Sequence, residues 1–164
     1  MDGEMTETLF PLDVPELEWA AFSADGFREP VCGVLYPQDK PATCGMPLGG
    51  IDTGCIDFET GGLLGFVTAF NSLSPRRGPL NVPFLGLKLD GRVHLLCSAG
   101  TAGAAPARRS RYWGHYPVAD LEFELDCPIS AGVRAWSPFI PGDADASMIP
   151  GAVFEVRLRN LGDR

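Results

Sequence analysis

VADLEFELD, residues 118–126, is the stretch on which the fold turns. Ala119, Leu121, Phe123 and Leu125 alternate in it with Asp120, Glu122, Glu124 and Asp126. A period of two is the pattern of a strand with one buried face, because successive side chains leave a pleated backbone on opposite sides. Four acids cannot all be buried unpaired, so their face is expected to be solvated or to meet a basic surface. VFEVRLRN (153–160) repeats the pattern, with Phe154, Val156 and Leu158 on one side and Glu155, Arg157 and Arg159 on the other. The apolar residues of both segments are expected to share one core face. Were the strands neighbours, Arg157 and Arg159 would sit across from Glu122 and Glu124.

The flanking sequence reads the same way. FLGLKLDGRVHLLC (84–97) is a hairpin turning at Asp90-Gly91, a pair that favours positive φ. GCIDFETGGLLGFV (54–67) is a second hairpin, turning at Gly61-Gly62, and AGVRAWSPF (131–139) is a strand ended by Pro138. Residues 14–22 are the one place for a helical turn, with Pro15 at its start. GTAGAAPARRS (100–110) is loop-like. Fifteen prolines and 20 glycines punctuate short apolar runs, which argues for many strands and against long helices. The fold class is all-β, an antiparallel β-sandwich.

At 164 residues and 45% hydrophobic, the chain is long enough to bury a core. Its net charge of −8 argues against nucleic acid and anionic membrane as partners, and leaves sugars, neutral or cationic ligands and other proteins. MDGEMTETLF lacks the basic flank and apolar run of a signal peptide, and no apolar stretch is long enough for a transmembrane segment. The five cysteines, Cys32, Cys44, Cys55, Cys97 and Cys127, are odd in number and scattered. Together these features point to reduced thiols and a cytoplasmic location.

Chemistry-bearing motifs are few. CGMPLGGIDTGC (44–55) clusters Gly45, Gly49, Gly50 and Gly54. Gly49 and Gly54 have the P-loop gap, but Cys55 and Ile56 follow where lysine and Ser/Thr belong, and no helix pattern comes after. The glycines therefore read as tight turns and close backbone packing, not as a phosphate cradle. No C-x-x-C pair exists, His94 and His115 lie apart, and Asp143 and Asp145 of PGDADAS read as a β-turn, so neither a metal nor a cofactor is expected. No nucleophile elbow occurs, and Asp57 and Glu59 read as exposed acids on one strand face. RRSRYWGHYP (108–117) is more suggestive. Tyr112, Trp113 and His115, with Tyr116 beside them, can stack on a saccharide; equally they can cap the core or dock another domain.

Three stretches together resemble one family. GMPLGGIDTGCIDFETGGLLGF…FN, YWGHYPVADLEFEL and AWSPFIPGDADASMIPGAVFEVRLRN, in that order, are similar to the N-terminal domain of glycoside hydrolase family 116. That family comprises the non-lysosomal glucosylceramidases (bile-acid β-glucosidases) and related β-glucosidases and β-xylosidases. The resemblance implies a β-sandwich preceding an α/α-barrel catalytic domain. It also implies a retaining reaction whose nucleophilic glutamate and acid/base aspartate both lie in the barrel, so no catalytic residue falls on this chain. Asp52 departs from the family pattern, giving GGID where many members have GGIG. The family's sandwich continues past a strand such as VFEVRLRN, so residues 1–164 are expected to be a partial sandwich, truncated at its C-terminal end.

The functional expectation is an inert accessory domain packing on a barrel supplied in cis or as a separate chain, in an enzyme for a β-glucoside or glycolipid saccharide. The glycine turn is expected to lie near that interface. The alternatives are a stand-alone carbohydrate-binding module using Tyr112, Trp113 and His115, and an incomplete structural remnant.

Overall fold

The computed structural model describes residues 9–11, 13–69 and 83–162. Its spine is a six-stranded antiparallel sheet in the order β1-β2-β9-β10-β11-β12, formed by Trp19–Phe22, Val31–Pro37, Arg109–His115, Val118–Glu124, Ile129–Trp136 and Val153–Asn160. Two three-stranded sheets accompany it: β3 (Met46–Leu48), β4 (Ile56–Phe58) and β5 (Leu64–Val67); and β6 (Gly86–Leu89), β7 (Arg92–Leu95) and β8 (Ala104–Ala105). The β7–β8 contact is parallel and every other ladder antiparallel. The all-β antiparallel reading holds.

The core lies between the large sheet and the two small ones. Leu121 and Phe123 of β10 and Ala131, Val133 and Ala135 of β11 are fully buried against Met46, Leu48, Phe58 and Leu96. Fully burying a side chain of this size contributes about 1.5–3 kcal/mol, which is why the period-two pattern dictates the layering. The opposite face of the sheet is covered as well. Phe10, Val14, Phe22 and Ala24 of the N-terminal segment pack there on Leu35 and Trp113.

That cover corrects the expectation for the acidic face. Asp120 is 2% exposed and Glu122 7%, beneath the N-terminal segment and not in solvent. The partner strands also differ from those expected. β11 lies between β10 and β12, so Arg134 is opposite Asp120, and Arg157 and Arg159 are one strand further away. β12 is an edge strand. Phe154 is half-buried beside the core, but Val156 and Leu158 are exposed at 43% and 53%, and among the described residues only one side of the strand has a neighbouring strand.

The two hairpin expectations hold. Asp90 (φ 48°) and Gly91 (φ 81°) form the two-residue turn between Leu89 and Arg92. The second hairpin closes through Glu59–Gly62 and Glu59–Leu63 backbone bonds, with Gly62 at φ 80°. No helical turn forms in 14–22; Leu17 takes a left-handed φ of 64° and the next residues are β1, held to β2. The one α-helix among the described residues is α1 (Ala144–Ser147), where Asp143 Oδ1 accepts from Ala146 N at 3.0 Å. Where a β-turn at Asp143 and Asp145 was expected, Asp143 caps this helix and Asp145 lies in its first turn; a turn closed by Asp143 N donating to Ile140 O at 3.0 Å precedes it.

Candidate functional site

The glycine cluster forms a type II turn over residues 50–53. Thr53 N donates to Gly50 O at 3.1 Å, and Asp52 occupies the third position with φ 59°. A Cβ on Gly50 would lie 2.6 Å from the Met148 and Ile149 carbonyls, so only glycine lets the turn lie against the end of α1. Its amides serve the fold. Ile51 N donates to Ser147 O at 2.9 Å and Cys55 N to Thr68 Oγ1 at 2.9 Å. A phosphate cradle needs such N–H groups free and convergent, and here they are used internally.

Beside this turn is a small cavity of about 110 Å³, lined in part by Leu48, Gly49, Gly54, Ile56 and Ala152. An apolar rim borders it. Ile51, Met148 and Ile149 are exposed where the turn meets α1, and Phe139 and Ile140 continue it from the preceding loop. Tyr116, exposed in the β9–β10 turn, sets its ring edgewise against Phe139 at 5.5 Å between centroids. Ser147, fully buried, ties the loop to α1 by accepting from Ile140 N at 2.8 Å and donating to Asp143 O at 2.7 Å.

The candidate sugar-stacking residues lie elsewhere. Tyr112, Trp113 and His115 are 3%, 0% and 2% exposed, and alternation puts them on two faces of β9. Tyr112 is in the main core, where burial pushes its phenol well above the usual range. Trp113 packs on Phe10 and donates from Nε1 to Pro11 O at 2.9 Å. His115 sits between the edges of Phe22 and Phe27. None offers a ring face to solvent, which stacking on a sugar requires. Of the quoted aromatics, Tyr116 is the exposed one.

What the pattern did not disclose is a buried charge cluster on the covered face. Arg134 donates from Nε to Asp120 Oδ1 at 2.7 Å and from Nη2 to Oδ2 at 2.8 Å, while His115 Nε2 lies 2.9 Å from Oδ2. Burial alone would raise the Asp120 pKa, but the hydrogen bonds from Arg134 and His115 outweigh it and hold the carboxyl below the ordinary aspartate value. Arg134 Nη1 also donates to Asp25 O, and Glu122 Oε1 accepts from Leu9 N at 3.0 Å. These contacts clasp the N-terminal segment to the sheet. The clue was an arginine inside the apolar run AGVRAW, which calls for a buried acid.

Asp57 is buried, not exposed as expected, and both it and Glu59 have partners within the chain. Asp143 caps α1. Among the described residues no group of three or more His, Cys, Asp or Glu is placed to hold a metal ion, and no helix is long and apolar enough to cross a membrane. The five cysteines are unbonded to one another. A larger, open groove of about 520 Å³ is lined in part by Arg108, Arg109, Arg111, Glu16 and Asp39.

Against known proteins, the model of the family described as beta-glucosidase 2, glycosyl-hydrolase family 116 N-term, matches residues 45–164. Neither the curated proteins nor the solved structures give a match. The matched span begins at the glycine turn and takes in both small sheets, β9 to β12 and the apolar rim. With well over half its length matched, the chain belongs to glycosyl-hydrolase family 116, whose N-terminal domain it represents.

Proposed function

We propose that this domain does no chemistry of its own and serves as the accessory β-sandwich of a retaining, glucosylceramidase-like β-glucosidase. In this reading it seats on a catalytic α/α-barrel, supplied in cis or as a separate chain. The observation that carries the reading is the apolar rim of Ile51, Met148, Ile149, Ile140, Phe139 and Tyr116, exposed beside the glycine turn and inside the family-matched span. Contiguous exposed apolar groups bordered by polar surface mark sites of protein contact. A β-glucoside or glycolipid saccharide is the substrate of the whole enzyme, and the reading puts that enzyme in the cytoplasm. The stand-alone sugar-binding alternative loses its support with the burial of Tyr112, Trp113 and His115.

The test is turnover of aryl β-glucosides and β-xylosides by the purified 164-residue chain. None is expected, since in this class two carboxylates flanking the scissile bond carry the reaction. Turnover that disappears in Asp57→Asn or Glu59→Gln would overturn the reading.

A further inference from the structure

Among the described residues, Arg109 and Arg111 enter no ion pair or side-chain hydrogen bond. That is a departure in a chain with 21 acids against 13 bases. Each stands directly opposite an acid of β10, Arg109 facing Glu124 and Arg111 facing Glu122. Glu122 is committed elsewhere, its Oε1 accepting from Leu9 N at 3.0 Å and from Ser130 Oγ at 3.2 Å. Both arginines instead line the open groove of about 520 Å³. Alternation puts them on one face of β9, with Cα atoms about 6.5–7 Å apart.

The rest of the lining decides what fits. β2 ends at Pro37, opposite Arg111, and the turn closed by Lys40 N donating to Pro37 O at 3.1 Å brings Gln38 and Asp39 to the groove. Glu16, bridged to Leu35 of β2, also lines it. Like the two arginines, neither acid has an ion-pair partner among the described residues. Arg108, the third arginine of the lining, is paired with Asp126. The unmatched groups are thus two forks that only donate and two carboxylates that only accept. A polyanion would satisfy the first and be repelled by the second, while a neutral polyol would leave the guanidiniums without a counter-charge. We infer that the groove binds a small, singly charged oxyacid rich in hydroxyls, a carboxylate or a phosphodiester. Its oxyanion lies between Arg109 and Arg111, whose forks match either group, and its hydroxyls donate to Glu16 and Asp39. The volume suits such a ligand, since small-molecule sites run from about 300 to 1,000 Å³. The groove shares no lining residue with the rim around Ile149, so this binding does not depend on seating on a barrel.

Titration of the full chain at about 150 mM salt, followed through the Nε–H signals of its arginines in proton–nitrogen spectra, tests the site with glucuronate, glycerophosphoinositol, acetate and glucose. Glucuronate or glycerophosphoinositol should move the Arg109 and Arg111 signals saturably, the tighter of them naming the oxyanion. Acetate should bind at least about tenfold more weakly, and glucose should not bind. Arg109→Gln with Arg111→Gln should weaken the tighter ligand at least about tenfold, whereas Arg92→Gln, on β7 and outside the lining, should leave it unchanged. Glu16→Ala with Asp39→Ala should erase the advantage of the hydroxylated ligand over acetate. No saturable shift with either oxyacid, equal shifts with glucose, or full affinity in the double glutamine variant would overturn the site.

Discussion

Arg134 holds Asp120 with two parallel hydrogen bonds, Nε to Oδ1 at 2.7 Å and Nη2 to Oδ2 at 2.8 Å, on a sheet face sealed by the N-terminal segment. The two side chains are 9% and 3% exposed, so neither charge can turn to water for compensation. Asp120→Ala should therefore cost about 3–5 kcal/mol, while Asp120→Leu with Arg134→Met should recover much of the loss. Urea unfolding of the parent, Asp120→Leu, Arg134→Met and the double variant, as a double-mutant cycle, measures the coupling. Additive effects would show that the pair is not coupled.

The same pair sets an acid limit. The folded pKa of Asp120 is lowered from the ordinary 3.8, so its contribution is complete above the unfolded value and is lost as pH falls through the folded one. Stability should drop with falling pH below about 4, and Asp120→Asn should flatten that slope. Equal slopes for the two proteins would contradict the assignment.

Asp52 gives a backbone test. At φ 59° in the third position of a type II turn it occupies a site that suits glycine. Asp52→Gly should stay within about 1 kcal/mol of the parent, whereas Asp52→Val should lose about 1–2 kcal/mol or more. Urea melts decide, and a tolerated valine would rule the turn out.

Phe123 and Val156 should separate the buried and open parts of one face. Phe123, with no exposure, should cost about 3–5 kcal/mol when changed to alanine. Val156→Ala should stay within about 0.5 kcal/mol at protein concentrations where the chain is monomeric, because Val156 is 43% exposed. Equal losses, measured by thermal unfolding in dilute solution, would contradict the edge position of β12.

The legible parts of this fold were local. The alternation of β10 located Leu121 and Phe123, and Asp90-Gly91 located its hairpin, because each depends on neighbours a few residues away. The errors came from distance along the chain. Nothing in VFEVRLRN says that β11 will stand between it and β10, or that among the described residues no strand will pair with its second side, so Val156 and Leu158 read as core. Asp120 and Glu122 read as solvated or facing a basic surface, and their apolar cover went unread because it arrives from far off, Leu9 N reaching Glu122 across 113 residues. For Tyr112, Trp113 and His115 the composition left sugar stacking and core capping both open, and a strand covered on both faces buries every one of them. The rim around Ile149 was missed for the converse reason. α1 and the glycine turn are distant in sequence, and their apolar residues become a patch only when Ile51 N bonds to Ser147 O.

The central claim is that this domain works by seating on a catalytic barrel through that rim. Isothermal titration of the chain with a family 116 α/α-barrel expressed as a separate polypeptide tests it most directly. Saturable binding is the predicted result, weakened at least about tenfold by Ile149→Asp, a loss of about 1.4 kcal/mol, and unchanged by Glu124→Ala, an exposed residue of β10 outside the rim. Absence of binding, or binding that Ile149→Asp leaves intact, would contradict it.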